Sequence, residues 1–281
     1  SWIGLLVVTL LSILGLSLAG IIQIDASVVA VNMAFFISAI FFAYFAWILL
    51  FGGLNSAEKR RCILIIILTM ASAIFWSGFE QAGSSLNLFA DRYTQREFGG
   101  FEIPAGWFQS LNAVFIITLA PLFSWLWVWL AKRNLDPSHP VKFAFGLVQL
   151  GLGFGVMIVA AKVVVAGNPA MPYFLILTYL LHTMGELCLS PVGLSAVSYL
   201  APRKYVGQIM GCFILSYSFG SILAGILAGR FSSDNLADMP GLYTQIALNS
   251  ILAGILLFAI AKPLMRWTFA KSNSGNQSSA N

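Results

Sequence analysis

The sequence predicts an all-α integral membrane protein with eight spanning helices, and three observations predict it. Of 281 residues, 59% are hydrophobic and only 9% charged, whereas soluble domains carry about 25% charged residues. Mean hydropathy is +0.88. Apolar runs recur at the length a bilayer demands, about 20 residues at ~1.5 Å each, and short polar connections separate them.

In chain order the spans fall at 2–22, 28–53, 61–90, 104–131, 141–166, 172–200, 204–229 and 242–268. The first run begins at Ser1 with neither methionine nor a basic leader. It therefore reads as a span rather than a signal peptide, and the chain as a piece of a longer protein. The short basic stretch "GGLNSAEKRR" joins the second span to the third, which is long enough to tilt or to project beyond the hydrocarbon. The connection "DRYTQREFGGFEIP" ends at Pro104, a residue suited to the first turn of the next helix. "NLDPSHP", "AGNPAMP" and "SSDNLADMPG" punctuate the fifth, sixth and eighth spans. The tail "KSNSGNQSSAN" is polar and disordered by composition.

The charge of +5 is topology rather than a nucleic-acid surface. One side collects Lys59, Arg60, Arg61, Lys132, Arg133, Lys142, Arg203, Lys204, Lys262, Arg266 and Lys271; the other has Arg92, Arg96, Lys162 and Arg230. Positive residues gather on the cytoplasmic side, so both chain ends are expected there. Cys62, Cys188 and Cys212 lie in apolar runs without metal-ligand spacing and read as small hydrophobes. The G-x-x-x-G pairs Gly151/Gly155, Gly207/Gly211 and Gly225/Gly229 read as close-packing points, with a part in motion left open.

Two carboxylates lie deep within spans: Glu80 in "FWSGFEQAGSSLNLFADR" and Glu186 in "GELCLSPVGLS". A carboxylate near mid-bilayer costs about 2.5–3.5 kcal/mol on insertion scales. Helical spacing puts Trp76, Glu80, Gly83, Ser84 and Asn87 on one face, and His182, Glu186 and Ser190 on another. Gln109, Asn112, Ser216 and Ser218 add polar groups; both cavity lining and interhelical hydrogen bonds remain open for Asn112 and the serines. No basic residue lies at matching depth, so partners for Glu80 and Glu186 are expected from outside the chain, from a substrate or from a proton. Pro191 removes a helical hydrogen bond between Gly185 and Gly193, which suits a gate or a static kink. His182 reads as a polar lining or hydrogen-bonding residue, since no third metal ligand is visible. No nucleophile–base pair, metal set or phosphate loop suggests an enzyme.

The strings "FWSGFEQAGSSLNLFADR", "GWFQSLNAVFI" and above all "GELCLSPVGLS" resemble the proton-dependent oligopeptide transporter family of the major facilitator superfamily. The resemblance covers nearly the whole chain. It implies two inserted linker helices over 1–57, the C-terminal six-helix bundle over 58–270 and a disordered tail over 271–281. The implied activity is proton-coupled symport of di- and tripeptides across the bacterial inner membrane by alternating access, with no cofactor beyond the proton gradient. Partners are then the peptide, protons, the bilayer and the transporter's N-terminal six-helix half, with no nucleic acid.

The resemblance also implies residue roles. Glu186 receives the peptide amino group with Asn112 beside it, Ser190 lines the pocket, and Trp76 forms an aromatic wall. Glu80 pairs with an arginine of the absent half and joins Glu186 in proton coupling. The sequence departs from the family at "MGCFIL", where Phe213 replaces the second pocket tryptophan. That keeps a ring but loses an N–H donor, leaving side-chain preference open. The alternative readings are a related carrier of nitrate or another small solute, and a non-transporting membrane subunit. Two acids facing the cavity suit an amine better than an anion.

Overall fold

The computed structural model describes Gly4, residues 25–229 and residues 236–270. The expected first span at 2–22, apart from Gly4, lies outside the described residues, as do Arg230 and the tail 271–281. Seven long apolar helices remain among them: α1 (Ala26–Phe51), α2 (Ser56–Phe79), α4 (Gly106–Lys132), α5 (His139–Val165), α6 (Tyr173–Leu200), α7 (Val206–Ala228) and α8 (Met239–Phe269). The expectation of an all-α membrane protein holds.

One span departs from expectation. The run read as a single helix over 61–90 is broken: α2 stops at Phe79, Glu80–Gly83 form a 3-10 turn, and a short helix α3 (Ser85–Tyr93) resumes after it. Ser84, at φ −128° and ψ −98°, breaks the helical path. The buried Gln81 amide fills the gap. Its nitrogen donates to the Ala224 carbonyl of α7 at 3.0 Å, and its oxygen accepts from the Ser85 hydroxyl at 2.7 Å. A side chain thus supplies hydrogen bonds at membrane depth where the helix ladder lapses. Trp76 and Asn87 therefore do not share one continuous helical face.

At its other end α2 starts with a capping box. The Asn55 side chain accepts from the Glu58 N–H at 2.9 Å, and Glu58 accepts from the Asn55 N–H at 2.9 Å. The connection after α3 holds a two-residue hairpin, β1 (Glu97–Phe98) against β2 (Phe101–Glu102). Gly99 and Gly100, at φ 59° and 83°, supply the positive dihedrals that a tight hairpin turn needs. Arg96 secures it through Asp91 at 3.1 Å and Glu102 at 2.7 Å. Pro104 precedes rather than begins α4, which starts at Gly106.

Helix α5 sits centrally against α8 and α6, while α2 packs on α7 and α8. Backbones come close where α5 crosses α6: a methyl on Gly146 would lie 2.9 Å from the Gly185 carbonyl oxygen, and the converse is 2.8 Å. The glycine spacing read from sequence is only partly a packing signal. Gly151 meets Ala247 and Ile251 of α8, but Gly155, Gly207, Gly211 and Gly225 face nothing within 4 Å among the described residues. Helix α4 leans mainly on α6, and only its Phe108 and Phe123 are buried.

Candidate functional site

The polar cluster forms where α4 crosses α6. Asn112 Nδ2 donates to Glu186 Oε2 at 3.0 Å and to Thr183 Oγ1 at 3.1 Å. Thr183 Oγ1 in turn donates to the Tyr179 carbonyl at 2.7 Å. Both amide hydrogens of Asn112 are thereby committed, and the half-buried Glu186 keeps unused acceptor positions. No Lys or Arg pairs with it among the described residues. The neighbouring Gly185 lies at the close crossing with Gly146. Thr183 was not singled out by sequence; its i−3 spacing from Glu186 was the available signal.

One turn beyond Glu186, the Ser190 hydroxyl shares a 3.4 Å hydrogen bond with the Tyr217 hydroxyl of α7. The Tyr217 ring stands 4.4 Å from Trp76 and 6.4 Å from Phe213, centroid to centroid. Tyr217 is the residue sequence reasoning missed, although it lies between the noted Ser216 and Ser218. Trp76 is buried at 7% exposure, and its indole Nε1 has no hydrogen-bond partner among the described residues.

Phe213 differs from its expected place. It is fully buried at 0% exposure and presses on Gly193, where a methyl would meet its ring at 2.5 Å. It backs Tyr217 instead of lining an open pocket, and Gly193 is a packing glycine. Pro191 is exposed within an α6 that runs unbroken from Tyr173 to Leu200. Ser216 is structural, since its hydroxyl donates to Ser72 at 2.9 Å in the bundle interior. Gln109 and Ser218 are exposed.

Glu80 caps α2, and its side chain is exposed at the helix break. It has no cationic partner among the described residues. His182 does not join this cluster. Its ring is buried beside Phe154 at 4.9 Å and against Gly153, and Nε2 has no hydrogen-bond partner among the described residues. No group of three potential metal ligands occurs among the described residues.

An apolar cavity lies elsewhere. About 200 Å³ opens between α1, α2 and α7, lined by Phe41, Met70, Leu215 and Phe219 among others. The hydroxyls there, on Ser38, Thr69 and Ser216, are already hydrogen-bonded. That space is apolar and offers nothing to a charged solute; the carboxylates mark the chemistry.

The POT family model matches residues 37–239. The peptide transporter YePEPT of Yersinia enterocolitica is 38% identical over 267 residues, covering 94% of this chain and 52% of that protein. The dipeptide and tripeptide permease A of Chromobacterium violaceum is 30% identical, covering 76% of this chain and 44% of that one. A crystal structure of a peptide transporter POT in complex with sulfate superposes with a TM-score of 0.82 at 33% identity, over 94% of this chain and 52% of that chain. A mutant peptide transporter POT in complex with alafosfalin gives 0.79 at 32% identity, over 93% and 53%. The chain spans about half the length of the curated relatives it matches.

Proposed function

The chain belongs to the POT family, and on that footing we propose that it forms the C-terminal half, with linker helices, of a proton-coupled symporter of di- and tripeptides. Residues 1–57 are the inserted pair, 58–270 the six-helix bundle and 271–281 a polar tail. The protein works in a bacterial inner membrane with both ends of this chain cytoplasmic, and an N-terminal six-helix half completes the cavity. The bundle rocks against that half around a site near mid-membrane.

One observation carries the reading: Glu186 is half-buried at membrane depth, oriented by Asn112, and without a cation among the described residues. A carboxylate so placed needs a positive partner, and a peptide ammonium supplies one while a nitrate does not. Ser190 and Tyr217 offer hydroxyls one turn further along, with Trp76 as the aromatic side of the same pocket and Phe213 behind it. Glu80, exposed at the helix break, takes up an arginine of the N-terminal half or a proton in alternation. Because each carboxylate is neutralised differently in different states, ligand and proton bias the same equilibrium between inward- and outward-open forms. Pro191 lends α6 a weakened ladder one turn from Glu186, which suits gate movement.

The test is uptake of labelled dialanine into proteoliposomes of the full-length parent, with and without an inward proton gradient. Gradient-driven uptake that Glu186→Gln abolishes supports the reading. Uptake indifferent to the gradient removes the coupling, and no uptake by an intact parent removes the substrate.

A further inference from the structure

We infer that the membrane face where α2 begins and α8 ends binds the phosphate headgroup of an anionic phospholipid through Arg60, Arg61 and Arg266. Arg60 Nη2 donates to the Ala270 carbonyl at 2.6 Å. The neighbouring Arg61 guanidinium lies 5.7 Å from the centroid of the Phe269 ring. Contacts to two adjacent residues at the end of α8 thus hold both guanidinium groups in one place, and an arginine fork already oriented gives up less freedom when it grips a phosphate. Arg266 stands one helical turn back along α8, with Lys262 a further turn behind it, and both are exposed.

This cluster has no counter-ion within the described residues. Two acids at the same end of the bundle, Glu58 and Asp136, are already engaged. Glu58 closes the capping box with Asn55, and Asp136 pairs with Lys142 at 2.8 Å. The Nε atoms of Arg60 and Arg61 are shut off from solvent and lack hydrogen-bond partners among the described residues. The two side chains as a whole are only partly buried, and phosphate oxygens are strong acceptors for the guanidinium N–H groups that stay accessible.

The surroundings select a lipid over a free anion. Trp267 and Phe269 are 43% and 42% exposed beside the cluster, the amphipathic belt expected at a membrane–water boundary. Further along α8, Leu252, Leu256 and Phe258 are exposed and provide an apolar flank for acyl chains. A soluble phosphate would use the guanidinium groups and leave that flank idle. The site lies at the end of α2 opposite Glu80 and does not depend on what the protein transports.

Native mass spectrometry of the full-length parent, released from mixed phosphatidylglycerol and phosphatidylcholine, tests the site. The parent retains phosphatidylglycerol preferentially. The double substitution Arg60→Gln with Arg61→Gln lowers that retention by about fivefold per arginine, the ratio expected from ~1 kcal/mol for each basic residue near an anionic surface. Lys132→Gln with Arg133→Gln, on the same face but another connection, changes it less than twofold. Equal losses in both pairs would reduce the site to diffuse attraction and overturn it. Displacement of the lipid by millimolar inorganic phosphate, itself retained, would make it a free-anion site and also overturn it. If the glutamine pair fails gel filtration, Arg60→Lys with Arg61→Lys decides. Weakened phosphatidylglycerol preference supports an oriented arginine fork, and unchanged preference refutes it.

Discussion

Asn112 on α4 bridges Glu186 and Thr183 on α6, 3.0 Å from the carboxylate and 3.1 Å from the hydroxyl. One amide thereby fixes the carboxylate's direction and joins α4, otherwise largely unburied, to the bundle. Hydrogen bonds to charged groups contribute about 1.5–3 kcal/mol. Asn112→Ala in the full-length parent is therefore expected to raise the KM for dialanine by about tenfold or more. Asn112→Asp places a second acid against Glu186 and is expected to cost more. Uptake kinetics at fixed gradient check both, and an unchanged KM in both variants would refute the orienting role.

Glu80→Gln separates coupling from binding. On the proposed function it abolishes gradient-driven accumulation while peptide counterflow between equal pH compartments persists. Loss of both activities in a folded protein would instead assign Glu80 to binding or structure.

Gln81 is a structural residue despite its polar character. Gln81→Leu strands the buried Ser85 hydroxyl and removes the side-chain link to the Ala224 carbonyl of α7. Each unsatisfied buried group costs about 1–3 kcal/mol, so thermal unfolding in detergent is expected to show a clear fall in Tm. A Tm matching the parent's would mean the broken segment finds other partners.

The Gly146–Gly185 crossing tolerates no added methyl without backbone movement. Gly185→Ala is expected to destabilise by about 1–3 kcal/mol through overpacking, whereas Gly155→Ala, with nothing within 4 Å among the described residues, leaves Tm unchanged. The two measurements side by side isolate the crossing from any general effect of replacing glycine.

Tyr217 divides into a ring and a hydroxyl. Tyr217→Phe removes only the 3.4 Å link to Ser190 and is expected to change dialanine KM less than threefold, since a neutral hydrogen bond is worth about 1 kcal/mol or less at this length. Tyr217→Ala removes the ring between Trp76 and Phe213, and its Tm is expected to fall as well.

Much of this was legible along the chain. The spans could be read because hydrocarbon thickness imposes one length on every crossing, and α4 through α8 begin and end within three residues of the expected positions. Glu186 could be read because a carboxylate in an apolar run has few structural uses. The break after Glu80 could not. "EQAGSS" holds no proline, and its polar residues keep helical spacing; the partner that the Gln81 side chain meets at the break, the Ala224 carbonyl, comes from α7. Nor could sequence tell Gly151, which meets α8, from Gly155, which faces open space.

By itself, then, the sequence determined where this protein crosses the membrane and which carboxylates it holds there, because insertion energy is a property of each local segment. Tertiary structure alone decided that Asn112 turns toward Glu186, that Phe213 stands behind Tyr217, and that Arg60 and Arg61 meet the end of α8. Those relationships depend on distances between residues far apart in the chain, which packing sets and no local spacing encodes.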